Sequence, residues 1–271
     1  MIVDVGEGVS KDRIGQRVAM EPGIPCGTCR ECRAGRYNLC PYVRFFGTPP
    51  IDDAFTNYVT IPSSFAYTLP NGMSDEEGAL IEPLSVGVWA CRKAKLQGGD
   101  HILITGAGPI GLVTMMVARA LGATQITLTD IAPQRLETAG KLGATRTINV
   151  AQTPLANASV EADVLIECSG NQSALRDGIR SLRPAGRVVA VGMGPGEETS
   201  IPLSFLQNRE ITLTGTFRYA NAYQDAIDLV TAECIDLKQI ITGHYALDAT
   251  EQALQATRND PSNIKSMVML K

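Results

Sequence analysis

Histidine is scarce in this sequence: two occur in 271 residues, His101 and His244. Neither has a metal-ligating partner at a useful spacing, so a structural role is expected for both. No uninterrupted apolar run approaches the roughly 20 residues a membrane helix needs, so no membrane partner is expected. The stretch Met1 to Gly6 lacks the basic region and apolar segment of a secretory signal. Basic side chains do not predominate: 24 Lys and Arg stand against 28 Asp and Glu, a net charge of -4. Non-specific nucleic-acid binding draws its affinity largely from Lys and Arg on phosphates, so that class is excluded. The seven cysteines are an odd number with four of them clustered. That usage suits a reducing cytoplasm, the expected location, better than a disulfide framework. Internal repeats, low-complexity tracts and blocks of like charge are absent.

What is present is a globular composition, 44% hydrophobic, with length for one large or two medium domains. The stretch from His101 to Asp130 organises it. His101 to Thr105 is a short apolar run of strand length, Gly106-Ala-Gly-Pro-Ile-Gly111 follows at once, and Leu112 to Leu121 reads as an apolar helix. Gln125 to Thr129 is a second strand with Asp130 at its end. Strand, glycine turn, helix, strand and acid together form a dinucleotide-binding pattern that the glycines alone would not establish. Gly106 permits the tight turn, Gly108 lets backbone approach a pyrophosphate, and Gly111 lets the helix pack closely. The helix N-terminus then offers unpaired N–H groups and partial positive charge to the phosphates. Asp130 stands where a carboxylate binds adenosine ribose hydroxyls and repels a 2'-phosphate, which predicts NAD over NADP.

Cys26, Cys29, Cys32 and Cys40 form a C-x2-C-x2-C-x7-C loop with few apolar residues. Four thiolates on a compact loop can close a tetrahedral shell around zinc, leaving no open position, so the metal would be structural. Cys91, Cys168 and Cys234 stand singly in apolar surroundings and are expected in the core.

The remaining chain divides into short elements. Strands are expected at Ile2 to Val5, Arg17 to Glu21, Phe55 to Ile61 and Phe65 to Leu69, with a turn carrying Phe45 and Phe46. Ser74 and Glu77 make a capping box for a helix running to Pro83, and Val86 to Lys95 is a second helix. Glu82 lies amid apolar neighbours, where a carboxylate is costly unless paired or metal-bound, although periodicity alone favours a surface glutamate on an amphipathic helix. Further strands are expected at 146–150, 163–168, 186–192 and 210–217, ending near Ser169, Gly170 and Gly192, with helices between. Six strands alternating with helices predict a doubly wound parallel sheet in the order 3-2-1-4-5-6. Its ligand crevice lies at the carboxyl ends of the first and fourth strands. Beyond it, helices at 220–232 and 250–258 and strands at 240–245 and 265–270 belong to a second body.

These stretches resemble the zinc-dependent medium-chain dehydrogenases, their polyol (sorbitol and xylitol) dehydrogenase branch in particular. The resemblance is carried by Cys26 to Cys40, by Glu77-Gly-Ala-Leu-Ile-Glu-Pro-Leu-Ser-Val-Gly87, by Gly106 to Gly111 and by Phe217-Arg-Tyr219. It implies an α/β protein: a Rossmann doubly wound sheet at 85–218 and a partial GroES-like β-rich domain at 1–84, completed by a C-terminal return at 219–271. It implies NAD and zinc as cofactors, a small polyol or alcohol as substrate, and a homotetramer or homodimer. The cofactor would be held by Gly106, Gly108, Pro109, Ile110, Gly111, Asp130, Arg135, Ser169, Gly170, Val191, Gly192, Phe217 and Arg218. Glu82 would belong to a catalytic zinc site, directly or through water, with Arg218 and Tyr219 near the substrate and Phe46 walling its pocket. The family also places a zinc-binding cysteine and a His-Glu pair several dozen residues before the point where this chain starts. Neither motif occurs here, so one zinc rather than two and slow or absent turnover are expected. The alternative is a non-catalytic NAD-binding protein stabilised by a structural zinc.

Overall fold

The computed structural model describes residues 1–52, 55–196 and 198–270. It divides into two compact units, Met1–Ser85 with Phe217–Cys234, and Val86–Thr216 with Ile235–Lys271.

In the first unit, Arg17 to Glu21 yields β1 (Val18–Met20), and β2 (Gly23–Ile24) follows Pro22. The cysteine loop holds α1 (Arg30–Arg33); β3 (Arg44–Phe45) leaves it, and β4 (Ala66–Thr68) comes later. β1 pairs antiparallel with β4, and β2 with β3, so the second pair closes the neck of the cysteine loop. Two expected strands do not form. The Ile2 amide reaches the Gln16 carbonyl at 2.9 Å and the Gly15 amide reaches Ile2 at 2.8 Å, without a strand at Val3 or Val5. Phe55 to Ile61 alternates but leaves Phe55 and Tyr58 exposed, and alternation stabilises a strand only when one face packs on a neighbour.

The capping box is present: the Ser74 amide donates to Glu77 Oε2 at 2.8 Å, and the Glu77 amide to Ser74 Oγ at 3.2 Å. The helix it opens, α2 (Asp75–Lys93), runs through Pro83, so the two expected helices are one. A proline inside a helix costs about 3 kcal/mol. Leu80, Ile81 and Leu84 are fully buried around it, and each such side chain contributes roughly 1.5–3 kcal/mol. Burial outweighs the break.

The second unit contains β5 (His101–Thr105), α3 (Pro109–Ala120), β6 (Gln125–Asp130), α4 (Pro133–Lys141) and β7 (Arg146–Asn149). It continues with β8 (Ala162–Glu167), α5 (Gln172–Arg180), β9 (Leu182–Ala190), α6 (Leu203–Asn208) and β10 (Thr212–Gly215). The sheet order is β10-β9-β8-β5-β6-β7, and every pairing is parallel. This is the doubly wound order expected, with its switch of direction between β5 and β8. Ile102, Leu103, Ile104, Leu128, Val164, Leu165 and Ile166 are fully buried. Parallel strands covered on both faces read as continuous apolar runs, which is why they were visible in sequence.

Past the sheet, α7 (Tyr223–Thr231) belongs to the first unit. Then β11 (Ile241–Ala246), α8 (Thr250–Asn259) and β12 (Lys265–Met269) form a parallel β-α-β piece grouped with the sheet unit. Within 219–271, the stretch to Cys234 groups with the first unit and the remainder with the second, where β11 and β12 pair with each other. Cys91 is buried and Cys168 half-buried, but Cys234 is exposed, contrary to expectation. Among the described residues no helix is long and apolar enough to cross a membrane. His244 sits exposed on β11.

His101 has the structural role expected. Its Nδ1 lies 2.8 Å from the Glu161 carbonyl and its Nε2 3.0 Å from Thr127 Oγ1, tying the start of β5 to its surroundings. Burial, the largest influence, holds its pKa below the usual value. The unfolded chain therefore takes up a proton near pH 6.5 that the folded chain resists. Stability from this source is complete above that pH and lost as pH falls below it. The thermal midpoint should decline between about pH 7 and pH 5, and His101→Gln should flatten that decline. Equal slopes for both proteins would place the acid sensitivity elsewhere.

Candidate functional site

The cysteine loop is built to gather sulfur. Cys29 caps α1, its Sγ accepting the Cys32 amide at 3.5 Å; Cys26 Sγ accepts the Cys29 amide, and Cys40 Sγ the Cys26 amide, each at 3.4 Å. The four Sγ atoms all lie within 4.8 Å of one another, with Cys29–Cys32 at 3.3 Å and Cys26–Cys32 at 4.0 Å. A tetrahedral zinc with bonds of about 2.3 Å requires sulfurs about 3.8 Å apart, so the donor set fits. Backbone donors, first Thr28 and then Cys29, lower the Cys26 thiol to about 6. Desolvation, then hydrogen bonding with Cys29, pushes Cys32 up to about 12. Four thiols this close resist ionising together unless a cation joins them.

The loop's far side is joined to the segment bearing Arg218 and Tyr219. Asn38 Nδ2 donates to the Phe217 carbonyl at 2.8 Å, Asn221 Nδ2 to the Gly35 carbonyl at 3.0 Å, and the Asn221 amide to Tyr37 Oη at 2.7 Å. Tyr37 Oη in turn donates to Glu21 at 2.8 Å, and Tyr67 Oη to the same carboxyl at 3.0 Å. Glu21 is 1% exposed, and burial raises its pKa despite these two donors.

Glu82, on α2, accepts a hydrogen bond of 2.9 Å from Tyr219 Oη. Tyr219 is buried, which pushes its phenol well above the usual range. Its ring lies 5.6 Å from that of Tyr223, itself 5.1 Å from Tyr67. Arg218 adopts φ +53°, in the left-handed region, and its guanidinium stacks 4.0 Å over the Phe45 ring and 4.8 Å over Phe217. Phe45 is the aromatic of the β3 turn that stacks against it. Arg218 Nη1 is buried without a hydrogen-bond partner in the chain. Among the described residues the four cysteines are the one set of three or more groups close enough to share an ion, so none assembles around Glu82. The residues present fit a structural zinc and do not fit a catalytic one.

In the second unit the glycine turn follows β5. Gly106 has φ +90°, and a Cβ there would lie 3.0 Å from the Ser169 amide nitrogen. At Gly111 a Cβ would fall 1.8 Å from the Gly106 carbonyl oxygen, whereas Gly108 faces open space. Pro109 opens α3, and no side chain caps its N-terminus. The Asp130 carboxylate anchors the turn: Oδ2 accepts the Ala107 amide at 2.8 Å, and Oδ1 those of Ile131 and Ala132 at 2.8 and 2.9 Å. Arg135 Nε, on α4, is buried without a partner in the chain. Ser169 and Gly170 follow β8, and the Val191 and Gly192 amides both reach the Glu167 carbonyl. The cleft thus gathers Gly106 to Gly111, Asp130, Ser169, Gly170, Val191 and Gly192. An open position at Gly108, an uncapped helix N-terminus and an orphaned Arg135 donor fit a dinucleotide.

A cavity of about 500 Å³ adjoins it, lined by Ser169 to Gln172 and Met193 to Pro195. A larger one, about 890 Å³, lies at the opposite strand ends with His101, Arg146, Arg183 and Arg209 on its walls. Arg146, Arg183 and Arg209 are engaged by the Ala158 carbonyl, Asp163 and the Leu182 carbonyl respectively.

Two carboxyl groups escaped the sequence reading. Glu167, 3% exposed, ends β8, and Glu21 ends β1. The signal was available for Glu167: a carboxylate closing Val164-Leu-Ile is as anomalous as Glu82 on its helix.

Comparison with known proteins agrees with this geometry. A family model described as "Alcohol dehydrogenase GroES-like domain" matches residues 1–71, and one described as "Zinc-binding dehydrogenase" matches 109–232. The chain is 40% identical to a sorbitol dehydrogenase of Bacillus subtilis (94% of this chain, 74% of that protein). It is also 40% identical to a D-xylulose reductase of Saccharomyces cerevisiae (97% of this chain, 77% of that protein). A crystal structure of an alcohol dehydrogenase from Escherichia coli complexed with NADH is similar, with TM-score 0.93 and 26% identity, covering 98% of this chain and 80% of that one.

Elemental analysis should find one zinc in the wild type and none in Cys32→Ser, which should also show increased protease cleavage between Pro25 and Pro41. Zinc in small sites of this kind binds with about 10–16 kcal/mol, enough to order the loop. A metal-free wild type after zinc-replete expression would contradict this. Gly111→Ala should destabilise the second unit by about 1–3 kcal/mol, read as a lowered denaturation midpoint, because the new methyl cannot be accommodated without moving α3.

Proposed function

Because the chain belongs to the zinc-dependent medium-chain dehydrogenases, in their sorbitol and xylitol dehydrogenase branch, we propose that its cleft and Glu82–Tyr219 pair serve NAD-dependent oxidation of a small polyol. The chain is an oxidoreductase of polyols or alcohols with NAD and zinc as cofactors. The observation that carries the reading is the cleft at the carboxyl ends of β5, β6 and β8, where Asp130 braces a glycine turn.

In this reading the uncapped N-terminus of α3 and the backbone at Gly108 receive the pyrophosphate, and Asp130 with Arg135 takes the adenosine ribose. The family resemblance also assigns Phe217 and Arg218 to cofactor binding, and Arg218 Nη1 is buried without a hydrogen-bond partner in the chain. Glu82 and Tyr219 hold a substrate hydroxyl or its proton, while Phe46 walls the pocket. Zinc in the cysteine lobe supplies structural order when bound, and these residues do not assemble a second zinc site around Glu82. The alternative reading is NAD binding without turnover. A homodimer or homotetramer in the cytoplasm is part of the proposal; seven free thiols support a reducing compartment.

Three measurements test it. NAD should bind more tightly than NADP, since Asp130 repels a 2'-phosphate, and Asp130→Ser should narrow the gap. Equal or tighter NADP binding would reject that assignment. NADH formation from sorbitol, xylitol and related polyols, with excess zinc and zinc content measured in parallel, decides between turnover and binding alone. Robust turnover with two zincs per chain would show that residues other than the four cysteines and Glu82 complete a second site.

A further inference from the structure

One buried carboxylate bonds two of the cleft's turns and packs beside a third. Glu167 is 3% exposed at the end of β8. Its Oε1 accepts the Ser169 amide at 2.7 Å, the Gly170 amide at 3.0 Å, the Ser169 hydroxyl, and the Thr105 hydroxyl at 3.3 Å. Oε2 accepts the Gly170 amide at 3.2 Å. Thr105 immediately precedes the glycine turn. The third turn lies on the other side: a Cβ at Gly192 would meet Glu167 Oε2 at 2.8 Å and the Gly170 amide nitrogen at 2.1 Å. A Cβ at Gly170 would in turn meet the Met193 carbonyl oxygen at 2.4 Å. The turns after β8 and β9 are therefore in backbone contact, and among the described residues no lysine or arginine bonds the carboxyl group that lies beneath them.

Sheet order says which half of a dinucleotide these turns would face. Asp130, at the end of β6, takes the adenosine ribose. A dinucleotide crossing the switch point then lays its other half over β8 and β9. We infer that Glu167 is a positioning residue for the nicotinamide half of the cofactor, holding Ser169–Gly170 against Gly192–Met193 so that the cavity between them has the right width. Four neutral donors converge on one carboxylate. Such bonds are strong, and replacing an acceptor by a donor leaves buried groups unsatisfied. The inference rests on the reading that the cleft binds NAD.

The test compares NAD, NADH and AMP on the full chain, by calorimetry and by nicotinamide fluorescence. In Glu167→Gln, NAD and NADH dissociation constants should rise about tenfold, with altered NADH emission, while AMP stays within roughly twofold. Parallel weakening of AMP would mean general loosening of the unit and would overturn the inference, as would unchanged affinity for all three. Should Glu167→Gln not fold, Thr105→Val removes one donor at constant shape: NAD should weaken about threefold with AMP unchanged, and any other pattern overturns the inference. Failure of the wild type to bind NAD would instead reject the cofactor reading itself.

Discussion

Between Gly111 and the carbonyl of Gly106 there is room for hydrogen and nothing larger. The cofactor cleft depends on that approach. It seats the first turn of α3 directly on the loop leaving β5, so that the helix's unpaired amides face the crevice rather than the sheet. On the opposite flank Gly106 meets the Ser169 backbone with the same economy of space. The walls of the crevice are consequently main chain, and the side chains that matter are those holding main chain in place.

Carboxyl groups do most of that holding, by one physical device. Asp130, Glu167, Glu21 and Glu82 stand at the ends of apolar strands or among apolar helix neighbours. Asp130, Glu167 and Glu21 each have several donors. Asp130 and Glu167 take backbone amides; Glu21 and Glu82 take tyrosine hydroxyls. Burial without donors would expel or neutralise such groups. With donors they become fixed points, and each lies beside a turn or segment proposed to act in binding. The cysteine lobe takes part through Gly35, Tyr37 and Asn38, whose bonds to 217–221 fix the backbone beneath Arg218 and Tyr219.

The sheet and its crevice were legible because buried parallel strands leave unbroken apolar runs and the glycine turn has a distinct spacing. The cysteine cluster was legible because the thiols are close in sequence. What could not be read depends on partners distant along the chain. Pro83 announces a break, and only the burial of Leu80, Ile81 and Leu84 keeps α2 continuous. Phe55 to Ile61 alternates without a neighbour to pair with. That Phe45 meets Arg218 depends on residues far apart in the chain, which no local pattern encodes. The three elements after Cys234 were visible as elements, yet their grouping with the sheet unit depends on contacts distant along the chain, which local pattern does not encode.

The central claim is that the carboxyl-end crevice, and not the larger basic cavity at the opposite strand ends, receives the dinucleotide. Hydrogen–deuterium exchange of the chain with and without saturating NAD tests it most directly. The account requires slowed exchange in 105–112, 129–136, 168–172 and 191–195, with the amides around His101, Arg146 and Arg183 unchanged. Protection confined to the latter set would contradict it.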